Sequence, residues 1–399
     1  MYDVMKGVCV IEVAEHTFAP AAAMILADWG ADVIKVERMP GGDSSRHMKL
    51  PGADGPVNPF FEAGNRGKRS IGLDLTQAAG RELLYSLVRG ADVFVTSFRG
   101  DALAKLGIDA AVLMRHNPTL VYARATGYGR AGAMADLPGF DYPSTWSRAG
   151  AAFAQTLPGG EPPKPPGSIG DLTGGATLAG AIAAALFRRE RTGRGAVVDN
   201  ALYQVGTYLM SQSLLAASVN AAFLTPHRQA DAPMALANYY RTRDGRWIAL
   251  SVLLDSWWPD LVRHLGRPDL LADPRFVDAG ARHAHAPALV ETLNTVFGAA
   301  DYAHWCARLA TLKGVWSPVQ NMDEVLADRQ ALENGFVSQV DVGRDGSYLT
   351  GVSPGQFDGH PIGALRSAPA YAAHTDEVLR ESGIAEAQIA ALRAAGTIE

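Results

Sequence analysis

Gly7-Val-Cys-Val-Ile-Glu-Val13 and Asp32-Val-Ile-Lys-Val-Glu37 flank an alanine-rich stretch, Pro20 to Trp29, that stops at Gly30. The flanking runs are rich in β-branched residues, as strands are. The stretch between them is continuously apolar, and Gly30 suits the residue that follows a helix. Strand, helix and strand in close succession make a βαβ unit. The pattern continues along the chain. Ser70-Ile-Gly-Leu-Asp-Leu75 reads as a strand, Thr76 as the cap of a helix reaching about Val88, and Gly90 as its stop. Ala91-Asp-Val-Phe-Val-Thr96 and Leu120-Val-Tyr-Ala-Arg-Ala-Thr126 are two further strands. The expected class is α/β, with a doubly wound, Rossmann-like parallel sheet.

Beyond this region, Gly132 to Pro166 is rich in turn residues. A small-residue helix, Leu172 to Arg189, then ends at Thr192-Gly-Arg-Gly195 and leads into Ala196-Val-Val-Asp199. Composition changes near Ala222. Tyr239 to Leu250 reads as a hairpin turning on Asp244-Gly245, and helical stretches follow around 257–265, 287–298, 301–312 and 322–333. A second hairpin, Val337 to Leu349, turns around Arg344-Asp-Gly346, and a helix from Ile384 to Ala394 ends the sequence. The expected organisation is a large α/β domain from 1–210 and 335–399, with a smaller α+β domain at 225–330.

A chain of 399 residues exceeds most single hydrophobic cores, which agrees with two domains. With 48% hydrophobic and 19% charged residues, the composition is that of a globular protein. A net charge of −5 disfavours a general nucleic-acid binder. The two cysteines, Cys9 and Cys306, suit a reduced, cytoplasmic protein. The longest candidate for a membrane helix, Ala176 to Phe187, falls short of the ~20 residues a bilayer needs, so a soluble chain is expected.

Three generic motifs are set aside. Gly127-Tyr-Gly-Arg-Ala-Gly132 fits G-x-G-x-x-G, but Pro138 and Gly139 follow where the phosphate-binding helix should open, so a glycine-rich loop over a site is the better reading. Gly351-Val-Ser-Pro-Gly355 fits the nucleophile elbow, yet Pro354 has no N–H to offer an oxyanion. His283-Ala-His285 shares no helix face and has no carboxylate at ligand spacing, so no metal site is expected.

Gly167-Ser-Ile-Gly-Asp-Leu-Thr-Gly-Gly175 is more informative. Asp171 stands at the expected N-terminus of the helix from Leu172. Spacing alone leaves two readings. Asp171 is an N-cap bonding the free amides of the first turn. Alternatively it is a carboxylate kept ionised by the helix dipole, with glycines leaving room for an electrophile.

Several segments resemble the family III CoA-transferases, the CaiB/BaiF family that includes formyl-CoA and carnitine CoA-transferases and, as relatives, α-methylacyl-CoA racemases. They are Leu26-Ala-Asp-Trp-Gly-Ala-Asp-Val-Ile-Lys-Val-Glu-Arg38, Pro40-Gly-Gly-Asp43, Asn65-Arg-Gly-Lys-Arg-Ser-Ile-Gly-Leu-Asp74, Gly170-Asp171, Arg191-Thr-Gly-Arg-Gly195 and His374-Thr-Asp-Glu-Val-Leu379. Together they span nearly the whole chain in the family's order.

The resemblance implies that Asp171 attacks an acyl-CoA thioester, giving an aspartyl–acyl anhydride and then an aspartyl-CoA thioester from which an acceptor acid takes the CoA. It implies CoA contacts at Arg38, Ser97, Phe98, Arg99 and Lys105, with acyl-CoA as substrate and neither metal nor nucleotide cofactor. Thr96-Ser-Phe-Arg-Gly-Asp101 departs from the family's Glu-Asn-Phe-Arg-Pro-Gly, so Ser97 keeps a hydroxyl but lacks the amide. Lys68 and Arg69 belong to a matched motif in which a structural role is open. The family also implies an interlocked homodimer, two chains threading through one another. Where racemases carry Gly-His-Asp this chain has Gly139-Phe-Asp141, which removes one of the two bases that racemisation needs. Ala232-Pro-Met-Ala-Leu-Ala-Asn238 stands where formyl-type enzymes have a glycine-rich loop, which favours a bulkier or more apolar acyl group. Trp247, Trp257, Trp258 and Tyr239 line such a site or belong to the core. Two alternatives to CoA transfer stand beside it: a 2-methylacyl-CoA racemase or isomerase, and an acyl-CoA-binding protein without catalysis.

Overall fold

The structure is a computed structural model, and it describes residues 2–52, 55–220, 226–343 and 346–399. The expected change of composition at Ala222 and the turn residues Arg344 and Asp345 lie outside the described residues. The chain forms two compact units. The larger contains residues 1–154, 163–224 and 328–399, and the smaller contains 155–162 and 225–327.

In the larger unit six strands form one parallel sheet: β1 (Cys9–Val13), β2 (Asp32–Glu37), β3 (Arg69–Gly72), β4 (Val93–Thr96), β5 (Val121–Thr126) and β6 (Ala196–Ala201). Their order is β3-β2-β1-β4-β5-β6, and every neighbouring pair is parallel. The direction of winding therefore reverses between β1 and β4. In open α/β sheets, ligands bind at such a switch point, outside the carboxyl ends of the strands. Cys9 pairs with Asp32 and Val10 with Val93, so β1 is bonded on both edges and buried.

Each face of the sheet carries its own apolar layer. On one face the helix Phe18–Asp28, wholly buried, packs with Leu178, Ile182 and Leu186 of the helix Ile169–Thr192. On the other, Leu83, Leu84 and Leu87 pack with Leu379 and Ile389 from the C-terminal segment. Strands covered on both faces read as the nearly continuous apolar runs seen in β1 and β4.

The helix Ile169–Thr192 has 24 residues and is long and apolar enough, by length and composition, to cross a bilayer. The twelve-residue run from Ala176 to Phe187 underestimates it, because Gly174 and Gly175 before the run and Arg188 and Arg189 after it break the apolar count without ending the helix. Close packing explains the glycines. A Cβ on Gly174 would stand 2.5 Å from the Phe18 ring, and one on Gly175 would stand 2.6 Å from the Ala21 methyl.

Two smaller three-stranded sheets complete the chain. In the smaller unit, β7 (Ala237–Arg241), β8 (Trp247–Ser251) and β9 (Val315–Pro318) are antiparallel. In the larger unit, β10 (Val337–Asp341) lies between β11 (Ser347–Gly351) and β12 (Leu365–Arg366). Several expected boundaries move. The helix expected to start at Thr76 runs Ala78–Arg89 instead, because Asp74 accepts the Thr76 N–H and hydroxyl in a preceding turn. Ser353, of the discarded elbow motif, is 5% exposed rather than presented to solvent.

Candidate active site

The carboxyl ends of β1, β4, β5 and β6 surround a cavity of about 210 Å³. Asp171 lines it from one side, and Ser97, Phe98 and Arg99, which follow β4, line it from another. Thr126 and Gly127, at the end of β5, form part of the wall. A Cβ on Gly127 would lie 2.7 Å from the Gly139 Cα, so that glycine permits two backbone segments to touch. The glycine-rich loop thus borders the cavity without opening a helix beneath a phosphate.

Asp171 is not the N-cap. Ser168 occupies that position, in the left-handed region at φ 59°, and the helix begins at Ile169, three residues earlier than expected. The amides at this helix end are served by another residue. The Asp141 carboxylate accepts the Gly170 N–H at 3.0 and 3.1 Å, one on each oxygen, and the Asp171 N–H also bonds it. Capping by Asp141 leaves the Asp171 side chain to face the cavity.

The expected charge state also changes. Burial, reinforced by the nearby Asp141 carboxylate, pushes the Asp171 carboxyl up to about 7. Burial raises Asp141 as well, against the lowering effect of the amides it caps. The dipole argument overstates ionisation here because burial disfavours the charged form and the Asp141 carboxylate capping that first turn adds a like charge. A carboxyl poised near neutrality is what acid–base or nucleophilic work requires.

Arg38 lies in an adjoining cavity of about 220 Å³ lined by residues following β1, β2 and β3, among them Ala14, Asp74 and Thr76. The two cavities share Glu15 and Phe98. Arg38 pairs with Glu15 at 3.1 Å while more than half its side chain remains exposed. The Ser97 hydroxyl accepts the Glu15 N–H at 3.3 Å and donates to the Glu15 carbonyl at 3.4 Å, so it ties two loops together. Arg99 is exposed and donates to the Asp136 carbonyl at 3.4 Å. Lys105 sits exposed in the last turn of the helix Gly100–Leu106 and lines neither cavity; its neighbour Leu106 lines the Arg38 cavity.

Glu15 and His16 were not among the residues singled out from the sequence, yet both line the Asp171 cavity. His16 adopts φ 67°, a strained conformation for a non-glycine residue. Its N–H donates to Asp43 Oδ1 at 3.2 Å, and its ring meets Phe140 edge-on at 5.2 Å. Their position directly after β1, at the switch point, is the one sequence signal that could have marked them.

Beneath these loops lies a buried ionic network. Glu12 accepts Lys35 at 2.7 Å and Lys68 at 2.5 Å, and Lys35 also reaches Asp43 at 2.8 Å; all are essentially without exposure. Burial works against the charge on Lys35, but Glu12 and Asp43 hold its pKa above the usual lysine range. Lys68, where burial and the facing Lys35 act together against Glu12, falls to about 8. Asp43 falls to about 2 because Lys35 and Ser45 outweigh its burial. Lys68 is therefore a structural member of its motif. Arg69 is another, joining Asp32 to Glu377 and Glu381.

The aromatic candidates all belong to the smaller unit. Trp258 is in its core and Trp257 packs against that core, whereas Tyr239 and Trp247 are exposed on the hairpin.

A half-buried carboxylate thus faces a cavity at the switch point of a parallel sheet. The profile of CoA-transferase family III matches residues 5–375, and the chain belongs to that family of enzymes. It is 30% identical over 392 residues to the (R)-2-hydroxy-4-methylpentanoate CoA-transferase of Clostridioides difficile, covering 96% of this chain and 97% of that one. It is 34% identical over 395 residues to the succinate–glutarate CoA-transferase of Agrobacterium fabrum, covering 94% and 95%. Among solved structures, a CAIB/BAIF family protein from Brucella suis superposes with a TM-score of 0.83 at 29% identity, over 95% of this chain and 99% of that one.

Proposed function

We propose that the protein transfers CoA from an acyl-CoA to a carboxylic acid with Asp171 as nucleophile. One observation carries the proposal: the Asp171 carboxylate faces a cavity also walled by the post-β4 loop, while Asp141 takes up the helix amides that would otherwise hold it. An Asp171 oxygen attacks the thioester carbonyl, the C–S bond breaks, and CoA leaves as thiolate with an aspartyl–acyl anhydride in its place. The thiolate attacks the aspartyl carbonyl and expels the donor acid, leaving an aspartyl-CoA thioester. The acceptor carboxylate repeats the first step on that thioester, and the thiolate then collects the acceptor acyl group and frees Asp171. Each bond broken is replaced by one of similar energy, so the sequence needs neither metal nor nucleotide cofactor.

Arg38, Ser97, Phe98, Arg99 and Lys105 are the proposed CoA contacts. Arg38 and Arg99 carry exposed guanidinium groups beside the two cavities, the geometry that suits phosphate. For Ser97 the contact is a backbone one, since its hydroxyl is engaged with Glu15. The relatives' names point to an organic acid as acceptor, and Phe140, exposed over the cavity, favours an apolar portion on it.

The enzyme acts as a homodimer whose chains interlock. Phe153, Phe187, Tyr208, Leu215 and Val219 present large apolar side chains to solvent, as an unpartnered interface does. It works in the cytoplasm, where the free thiols of Cys9 and Cys306 stay reduced. The helix Ile169–Thr192 serves there as a packing element against Phe18 and Ala21, outside any membrane.

Incubation with a panel of acyl-CoA thioesters and hydroxylamine tests the nucleophile. An aspartyl hydroxamate is expected at Asp171, read by mass spectrometry of the digested protein, and only when thioester is present. Turnover that continues with no adduct at Asp171 would overturn the proposal.

A further inference from the structure

The smaller unit holds a pocket of its own, about 220 Å³, between the segment before β7, the segment after β8 and the helix Ala279–Ala284. Met234, Leu236, Leu253 and Leu254 give it apolar walls, and three of these four are half exposed or more. Among the described residues its basic lining side chains are Arg282 and His283. Arg282 is 6% exposed, and a guanidinium keeps its charge at any working pH, so its burial requires partners.

Those partners are unequal. Nη1 donates to the Phe276 carbonyl at 2.9 Å, deep in the unit, and the guanidinium lies 5.0 Å over the ring of Trp258. Nη2 pairs with Asp255, whose side chain is 61% exposed. The Trp258 indole N–H, itself buried, has no acceptor among the described residues. A buried cation thus meets its counter-charge at the water-facing end of an apolar pocket.

We propose that this pocket binds a monocarboxylate with an apolar tail, its carboxylate replacing Asp255 on Arg282. Asp255 turns into the water it already faces, and the tail covers Met234, Leu253 and Leu254. One carboxylate replaces another, so the buried guanidinium is never left unpaired, which is the costly outcome for such a group. A neutral ligand of equal length gains the tail contacts alone. The assignment is independent of the chemistry at Asp171 and does not depend on it.

Calorimetry on the full chain without CoA tests this, with octanoate and octanol as probes. Octanoate is expected to bind at least tenfold tighter than octanol. Asp255→Asn removes the competing carboxylate and should tighten octanoate at least fivefold while leaving octanol unchanged. Arg282→Gln should erase the preference for the acid. Because Arg282 also bonds the Phe276 carbonyl, that variant can fail to fold; Asp255→Asn, at a water-facing side chain, then decides the matter alone. Equal binding of acid and alcohol, unchanged or weaker octanoate binding in Asp255→Asn, or no octanoate binding at millimolar concentration would overturn the proposal.

Discussion

Asp141 caps the helix that carries Asp171: its two carboxylate oxygens receive the Gly170 N–H at 3.0 and 3.1 Å, within one residue of the carboxyl it perturbs. The same residue frees Asp171 from a capping role and opposes its ionisation. The free enzyme's kcat/KM should therefore rise with pH and level off above about 7, where Asp171 is ionised. In Asp141→Asn the like charge is gone and an amide oxygen still accepts from the helix, so the midpoint should move to lower pH. A pH–rate profile of the two proteins checks this; an unmoved midpoint would show that Asp141 has no electrostatic role.

Stability carries the same signature with a definite sign. The carboxyl of Asp171 titrates near 3.8 when unfolded and near 7 when folded, so the unfolded chain loses its proton first. Its cost to the fold is absent below about pH 4, grows as pH rises toward 7, and is full above that. Asp171→Asn should abolish turnover yet raise stability at pH 8 by about 1–2 kcal/mol, a gain that vanishes near pH 4. Thermal melts across that range measure it.

Glu12 is the shared anion of Lys35 and Lys68. Replacing it by Gln leaves Lys35 with Asp43 and strips the buried Lys68 of the carboxylate it pairs with, and breaking such a buried pair costs about 3–5 kcal/mol. Urea denaturation of Glu12→Gln should show a loss of that order, with no compensating gain on adding salt, because buried charges are poorly screened.

Gly174 touches Phe18 where a Cβ would come within 2.5 Å of the ring. Overpacking at such a contact costs about 1–3 kcal/mol, so Gly174→Ala should destabilise by that amount. It should also depress kcat, since the helix that bears Asp171 must shift. Adding Phe18→Leu should recover part of both losses, as coupled neighbours do.

Arg38 pairs with Glu15 but keeps more than half its side chain in solvent. As a CoA contact it should act in binding, not chemistry. Arg38→Ala is expected to raise KM for the acyl-CoA about tenfold, ~1.4 kcal/mol, with kcat nearly unchanged. Steady-state kinetics with CoA thioester varied would reveal an equal fall in kcat if this assignment is wrong.

The parallel sheet was legible because β1, β2, β4 and β5 are short runs rich in β-branched and aromatic residues, punctuated by Gly30 and Gly90, and these local signals survive folding. The glycines around Asp171 also marked that position. What capped the helix was not legible, since Asp141 lies 29 residues before Gly170 and nothing local links them. Lys35 and Lys68 look like ordinary charged residues in a strand and a loop; only the register that brings Glu12 opposite Lys35 shows why both are buried. The strained His16 was equally invisible, because its N–H bonds Asp43, 27 residues further along the chain, and nothing local marks its φ.

The edge strand β3 is finished by residues from the far end of the chain: Gly72 donates to Thr375 at 3.2 Å, His374 donates to the Ser70 carbonyl at 2.9 Å, and Arg69 grips Glu377 and Glu381. A polypeptide leaving the ribosome has already emitted the whole of 225–327 before those residues exist. The inserted unit is thus free to mature early, whereas the β3 flank of the parallel sheet stays open until residues 374–381 have been made. During that interval β3 offers an unprotected border to any neighbouring strand, and nascent chains shortened before Glu377 should be the ones that clump.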